Sequence, residues 1–165
     1  MKKIIICLFA AVLYSQISFA QYKGNPITLK EYYAIEINGI TILDLIRTNG
    51  DYSKLKSMFG NDLQYKTIDS PNSGVEFWNS KLFIRFEEED KILTNLKLFY
   101  PNTITIKGKK VKIGDDVSAL GLVKVDTSNG KYSIYFNDER TLTASFTIEV
   151  SPSTKKITEI YYILF

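Results

Sequence analysis

The sequence predicts an α+β domain made of two tandem helix-plus-antiparallel-hairpin repeats with a largely antiparallel sheet. Three observations predict it. Lys81 to Leu98 aligns without gaps to Lys131 to Ile148, which sets Phe86 on Phe136, Ile84 on Ile134, Leu96 on Phe146 and Leu98 on Ile148. Upstream and in the same order, Ile35-Glu36-Ile37-Asn38-Gly39 is matched by Ile104-Thr105-Ile106-Lys107-Gly108, and Gly50-Asp51 by Gly114-Asp115. The aligned segments also alternate apolar and polar residues, the period of a half-buried strand. Self-similarity in a fixed order is the mark of repeated units.

The first residues read as an address. Lys2 and Lys3 form a basic start, Ile4 to Leu13 is an almost unbroken apolar run, and Ser18-Phe19-Ala20 supplies the small residues a signal peptidase reads. Residues 1–20 are therefore expected to be a secretory signal peptide, cut after Ala20. The run is shorter than the roughly 20 apolar residues a bilayer span needs. Cys7 sits near the start of the run, whereas a lipid-anchor cysteine follows its end, so Cys7 is expected to leave with the signal. Residues 21–34, polar at first and holding Gly24 and Pro26, read as an N-terminal arm.

The first unit is assigned to residues 35–100. After a short strand with a glycine turn, Asp51 offers an N-cap to a helix over Tyr52 to Phe59, which Gly60 stops. Leu55, Met58 and Phe59 fall at helical spacing and are expected to face the core. A variable loop leads to a hairpin, with Leu82, Ile84 and Phe86 on one strand, a turn at Glu87 to Asp90, and Leu96, Leu98 and Tyr100 on the return. Pro101 and Asn102 separate the units. The second unit, residues 101–165, has a shorter helical turn at Val117 to Leu120, stopped by Gly121, then a hairpin of Tyr132 to Phe136 and Leu142 to Val150, and a last strand from Ile157 to Phe165. Residues 35–165 are expected to form one domain.

Composition narrows the chemistry. The chain has no histidine and one cysteine. That leaves no Ser-His-Asp triad, no Cys-His pair and no ordinary zinc ligand set. Neither a phosphate loop nor a dinucleotide fingerprint is present. No catalytic residue, cofactor or metal is assigned. Cleavage removes two lysines from a chain of formal charge +3, leaving it nearly neutral, without the basic field that draws nucleic acid. With 45% hydrophobic and 13% aromatic residues it is expected to fold, and without disulfides it must hold itself by packing.

Candidate features follow from the alternation. The sheet face turned away from the helices gathers Phe83, Arg85, Lys97 and Phe99 from the first unit and Tyr135, Thr147 and Glu149 from the second, with Trp78 just before the first hairpin. Aromatics beside an arginine are what protein-binding hot spots are made of, so Trp78, Phe83, Arg85, Phe99 and Tyr135 are the expected partner-binding residues. The other reading is that a loop, the arm or a second copy covers this face and makes it core. Lys107, Lys109, Lys110 and Lys112 read as a charged edge hairpin or as a patch for an acidic partner. Glu87 to Asp90 lack calcium-loop spacing and read as a solvated turn. Asp51 and Asp115 read as helix caps.

The order Gly-Asp, short helix ending Phe-Gly, loop, then hairpin with an acidic turn resembles the repeat of the β-lactamase inhibitor protein family. It is similar also to related small envelope-assembly lipoproteins of outer membranes. The resemblance covers Ile35 to Phe165 and is carried by Gly50, Asp51, Phe59, Gly60, Phe86, Gly114 and Phe136. It implies two units sharing one curved antiparallel sheet, helices on one face, and an open concave face that grips a partner protein. The chain departs from that family in lacking disulfides and in its stunted second helix. The expected function is a secreted or periplasmic, non-enzymatic protein-binding domain, inhibitor- or immunity-protein-like, with a homodimer as a variant. An envelope assembly accessory and a carboxylate-based hydrolase are the alternatives.

Overall fold

The computed structural model describes residues 24–69, 73–127, 132–138 and 144–164. The expected signal segment lies outside them, as do Lys131, Glu139 and Leu142, three of the aligned positions.

The arm contributes structure of its own. β1 (Asn25–Ile27) leads into the short helix α1 (Leu29–Tyr33). Thr28 and Glu31 close a capping box there, with the Thr28 amide donating to Glu31 Oε2 at 2.8 Å and the Glu31 amide donating to Thr28 Oγ1 at 3.2 Å, so two donors that the helix leaves unpaired are satisfied. β2 (Glu36–Ile37) and β3 (Ile40–Thr41) follow, joined by Asn38 and Gly39 at φ 52° and 88°, the left-handed pair that a tight two-residue hairpin demands. Helix α2 (Ile42–Ile46) is capped by Thr41, and α3 (Tyr52–Phe59) by Asp51, whose carboxylate accepts from the Lys54 amide at 2.9 Å. Leu55 is buried, while Met58 and Phe59 are half-buried.

Strands then dominate: β4 (Gln64–Ile68), β5 (Gly74–Trp78), β6 (Leu82–Glu87), β7 (Leu93–Leu98), β8 (Thr103–Ile106) and β9 (Lys109–Lys112). A single 3₁₀ turn, Val117–Leu120, is capped by Asp116 and not by Asp115, which instead accepts from the Lys112 amide at 3.0 Å. β10 (Tyr132–Asp138), β11 (Ala144–Val150) and β12 (Ile157–Leu164) complete the described chain. Among the described residues no helix is long and apolar enough to cross a membrane.

These strands form two sheets. The larger has the order β1-β10-β11-β12-β7-β6-β5-β4, antiparallel throughout except where β1 runs parallel to β10. The smaller, β3-β2-β8-β9, joins the Asn38-Gly39 and Lys107-Gly108 hairpins through β2 and β8. Its edge strand β9 exposes Lys109 and Lys110, which discourages pairing with another chain.

The architecture corrects the expected fold class. Among the described residues 47% are strand and 17% helical, with three helices, arranged as an eight-stranded mixed sheet plus a four-stranded sheet and not as two tandem helix-plus-antiparallel-hairpin repeats. The reason is physical. Period-two alternation aligns any two amphipathic hairpins, whatever their places in a sheet. β6 and β10 match in sequence, yet β6 is flanked by antiparallel β5 and β10 by the parallel arm strand β1. Two further strands, β4 and β5, occupy what alternation left as a variable loop.

One face of the large sheet is the core. Phe77, Ile84, Phe86, Leu96, Ile134, Phe146, Ile148 and Ile160 are almost wholly buried, in one cluster with Tyr32, Ile42, Leu45 and Leu55 of the helices and Ile104 and Val111 of the small sheet. The Tyr32 ring lies 6.1 Å from Phe146 and 6.3 Å from Tyr162. With helices and small sheet on this inner face, the outer face is the surface that positions everything below.

Candidate binding surface

Register fixes the outer face as rows of side chains. One row runs Tyr135, Thr147, Tyr161, Lys97, Phe83, Trp78 and Gln64, from β10 to β4. A second runs Ser145, Ile163, Asn95, Arg85, Glu76 and Lys66. A third, confined to β10–β12, holds Ser133, Glu149 and Glu159. Trp78, Phe83, Arg85 and Tyr135 thus share one face. They are not one cluster: at about 4.8 Å per strand, Phe83 and Tyr135 stand about 19 Å apart. Phe99 lies just past β7, with Lys97 Nζ 5.9 Å from its ring centre.

Two bulges shape this face. The register slips between Arg85 and Phe86 opposite β7, and between Glu149 and Val150 opposite β12. The extra residues are Thr94 in Leu93-Thr94-Asn95-Leu96 and Thr158 in Ile157-Thr158-Glu159-Ile160, so two successive side chains turn outward in each strand. Bulges bend a strand and re-aim its side chains. Here each adjoins a charged residue of the outer face, Arg85 in one half and Glu149 in the other.

The β4–β7 half is aromatic and basic. Glu76 ties Lys66 at 3.0 Å and Arg85 at 3.2 Å, and Lys66 Nζ also stands 5.9 Å from the Trp78 ring centre. The β10–β12 half is polar and tyrosine-rich. Glu149 accepts from Ser133 Oγ and from the Tyr161 hydroxyl, each at 2.9 Å. Thr147, between Tyr135 and Tyr161, is buried although it points outward. Lys97 bridges the halves through Glu159 at 3.4 Å. Two open grooves adjoin here and share Glu159 and Tyr161. One, of about 440 Å³, also takes in Tyr132, Glu149 and Pro152. The other, of about 300 Å³, takes in Phe83, Asn95 and Lys97. The facing acids Glu149 and Glu159 thus line an open groove, one of them held by a lysine, an arrangement suited to contact and recognition.

Burial, then the Glu149 carboxylate, hold the Tyr161 phenol above its ordinary value of 10.0. The folded chain keeps this proton where the unfolded chain releases it, so the stabilisation is full below about pH 10 and is lost as pH rises beyond it. Tyr161→Phe is therefore expected to lose less stability than the wild type between about pH 9 and pH 11, read from urea midpoints; equal losses would contradict the placement of Tyr161.

Sequence reasoning missed Tyr161 and Glu76. Tyr161 belongs to the strand read only as the last one, and its neighbour across β7, Lys97, is known only once β12 is seated in mid-sheet. Glu76 lies on a strand read as loop. The signal that was there is the spacing Ile157-x-x-Ile160-x-Tyr162, which marks the inner face and leaves Tyr161 outside. Comparison with protein-family models, with curated proteins and with solved structures finds no match to this chain.

Proposed function

We propose that the chain is an exported, non-enzymatic protein-binding domain, inhibitor- or immunity-protein-like, which neutralises a partner protein through the outer face of its eight-stranded sheet. The observation that carries this reading is the set of half-buried aromatics on the outer face, Trp78, Phe83, Tyr135 and Tyr161, beside two open grooves. The arm does not cover this face: it enters the sheet edge as β1 and packs Tyr32 on the inner side, while Ser133, Ser145 and Thr147 of the β10–β11 part are buried. From β10 to β4 the face is about 29 Å wide at the usual strand spacing, which suits the roughly 800 Å² that each side of a specific protein interface contributes. Trp78, Phe83, Tyr135, Tyr161 and Phe99 supply aromatic area, and Arg85 a charge held in place. The basic start and apolar run of residues 1–20 support export to the periplasm or beyond.

The test is capture from native extracellular and envelope fractions, with the chain from Gln21 as bait and Phe83→Ala/Tyr135→Ala as control. One partner at near-equal stoichiometry, lost in the double variant while its circular dichroism is unchanged, is the expected result. Self-association alone, with either bait, would overturn the reading.

A further inference from the structure

Resting on that reading, we propose that the partner seats a lysine or arginine side chain in the groove beside Tyr161, on the carboxylate of Glu149. The charge pattern of the outer face points there. Glu76 is matched by Lys66 and Arg85, and Glu159 by Lys97. Among the described residues Glu149 has no cation; its partners are the neutral hydroxyls of Ser133 and Tyr161. A half-buried carboxylate held by two neutral hydroxyls and no cation is completed by a partner of opposite charge.

Geometry makes the site selective. Each Glu149 oxygen already accepts one hydroxyl, which fixes the carboxylate plane and leaves acceptor capacity on both oxygens. A planar guanidinium fork reads that arrangement in two bonds, and an ammonium in one. Glu159 sits directly opposite Glu149 in register and adds negative potential, tempered by Lys97. The groove, about 440 Å³, falls in the range of sites that take up ligand-sized groups, and the bulge residue Thr158 lines its wall.

The test uses the purified chain and an oligolysine peptide blocked at both ends, followed by amide chemical shifts. Oligolysine is expected to shift Ser133, Glu149 and Tyr161 saturably, less so as salt is added, and an oligoglutamate control to leave them unmoved. Glu149→Gln, with its fold checked by circular dichroism, is expected to weaken the effect at least about tenfold. Shifts that survive Glu149→Gln, or that fall only elsewhere, overturn the proposal. Capture separates the two readings. A partner held equally by wild type and Glu149→Gln but lost from Phe83→Ala/Tyr135→Ala overturns the cation seat and keeps the protein-binding face. No partner for any bait, with oligolysine still seated at Glu149, overturns the protein-binding reading and keeps the cation seat.

Discussion

Phe146→Ala is expected to lower the stability of the fold by about 3–5 kcal/mol, the usual cost of emptying a buried aromatic site. Phe146 is fully buried at the middle of β11. Its ring lies 5.2 Å from Tyr162 and 6.1 Å from Tyr32, so it joins the sheet to helix α1. Alanine leaves a cavity that these rings, each fixed to its own backbone, fill only in part. Ring pairing adds about 0.5–1.5 kcal/mol to what burial alone supplies. Against a typical total of about 5–15 kcal/mol, the variant is expected to melt on the order of 10 °C lower. Tyr135→Ala, one row away but on the outer face, is expected to cost about 1 kcal/mol or less. Thermal melts of the two variants check the assignment of faces; equal losses would contradict it.

Gly74→Val is expected to destabilise by about 2 kcal/mol or more, although strand propensity alone says the opposite. Valine is a favoured strand residue and glycine a poor one, so propensity predicts a gain. The structure reverses the sign. A Cβ on Gly74 would lie 2.5 Å from the backbone carbonyl oxygen of Phe86. That oxygen belongs to β6, hydrogen-bonded between two neighbours beside a bulge, and cannot swing aside as a side chain does. β5 would have to part from β6 and carry Phe77 out of its contact with Phe86, whose ring centre is 6.2 Å away. Urea unfolding of Gly74→Ala and Gly74→Val checks this; a gain for valine would mean that β5 approaches β6 less closely.

Why some of this was legible in the sequence and some was not follows from particular residues. Leu82, Ile84 and Phe86 alternate with Phe83 and Arg85, and the two faces of β6 could be read off directly. The same rule placed Tyr135, Thr147 and Glu149 on the outer face. β4 was illegible because Gln64-Tyr65-Lys66-Thr67-Ile68 is an edge strand with four of its five residues exposed, and periodicity reports burial. In β5, Phe77 points in and Trp78 out, and adjacent aromatics hide the alternation. The arm was read only as a polar lead, yet Pro26 lies within β1, an edge strand, where proline is tolerated. The capping box at Thr28-x-x-Glu31 and the N-cap at Thr41 were local signals for α1 and α2 that went unread. Strand order was beyond local reading: it depends on β12 crossing back to pair with β7, a contact between residues 62 apart.

The most direct test of the outer face as the working surface is thiol labelling of single cysteines placed at Phe83, Tyr135, Ile84 and Ile134, each in a chain carrying Cys7→Ser. Cysteines at Phe83 and Tyr135 are expected to label in the isolated folded chain and to be protected together when the captured partner is added, while those at Ile84 and Ile134 label only on unfolding. Outer-face cysteines that are shielded in the isolated chain, or that label at the same rate with the partner bound, would contradict it.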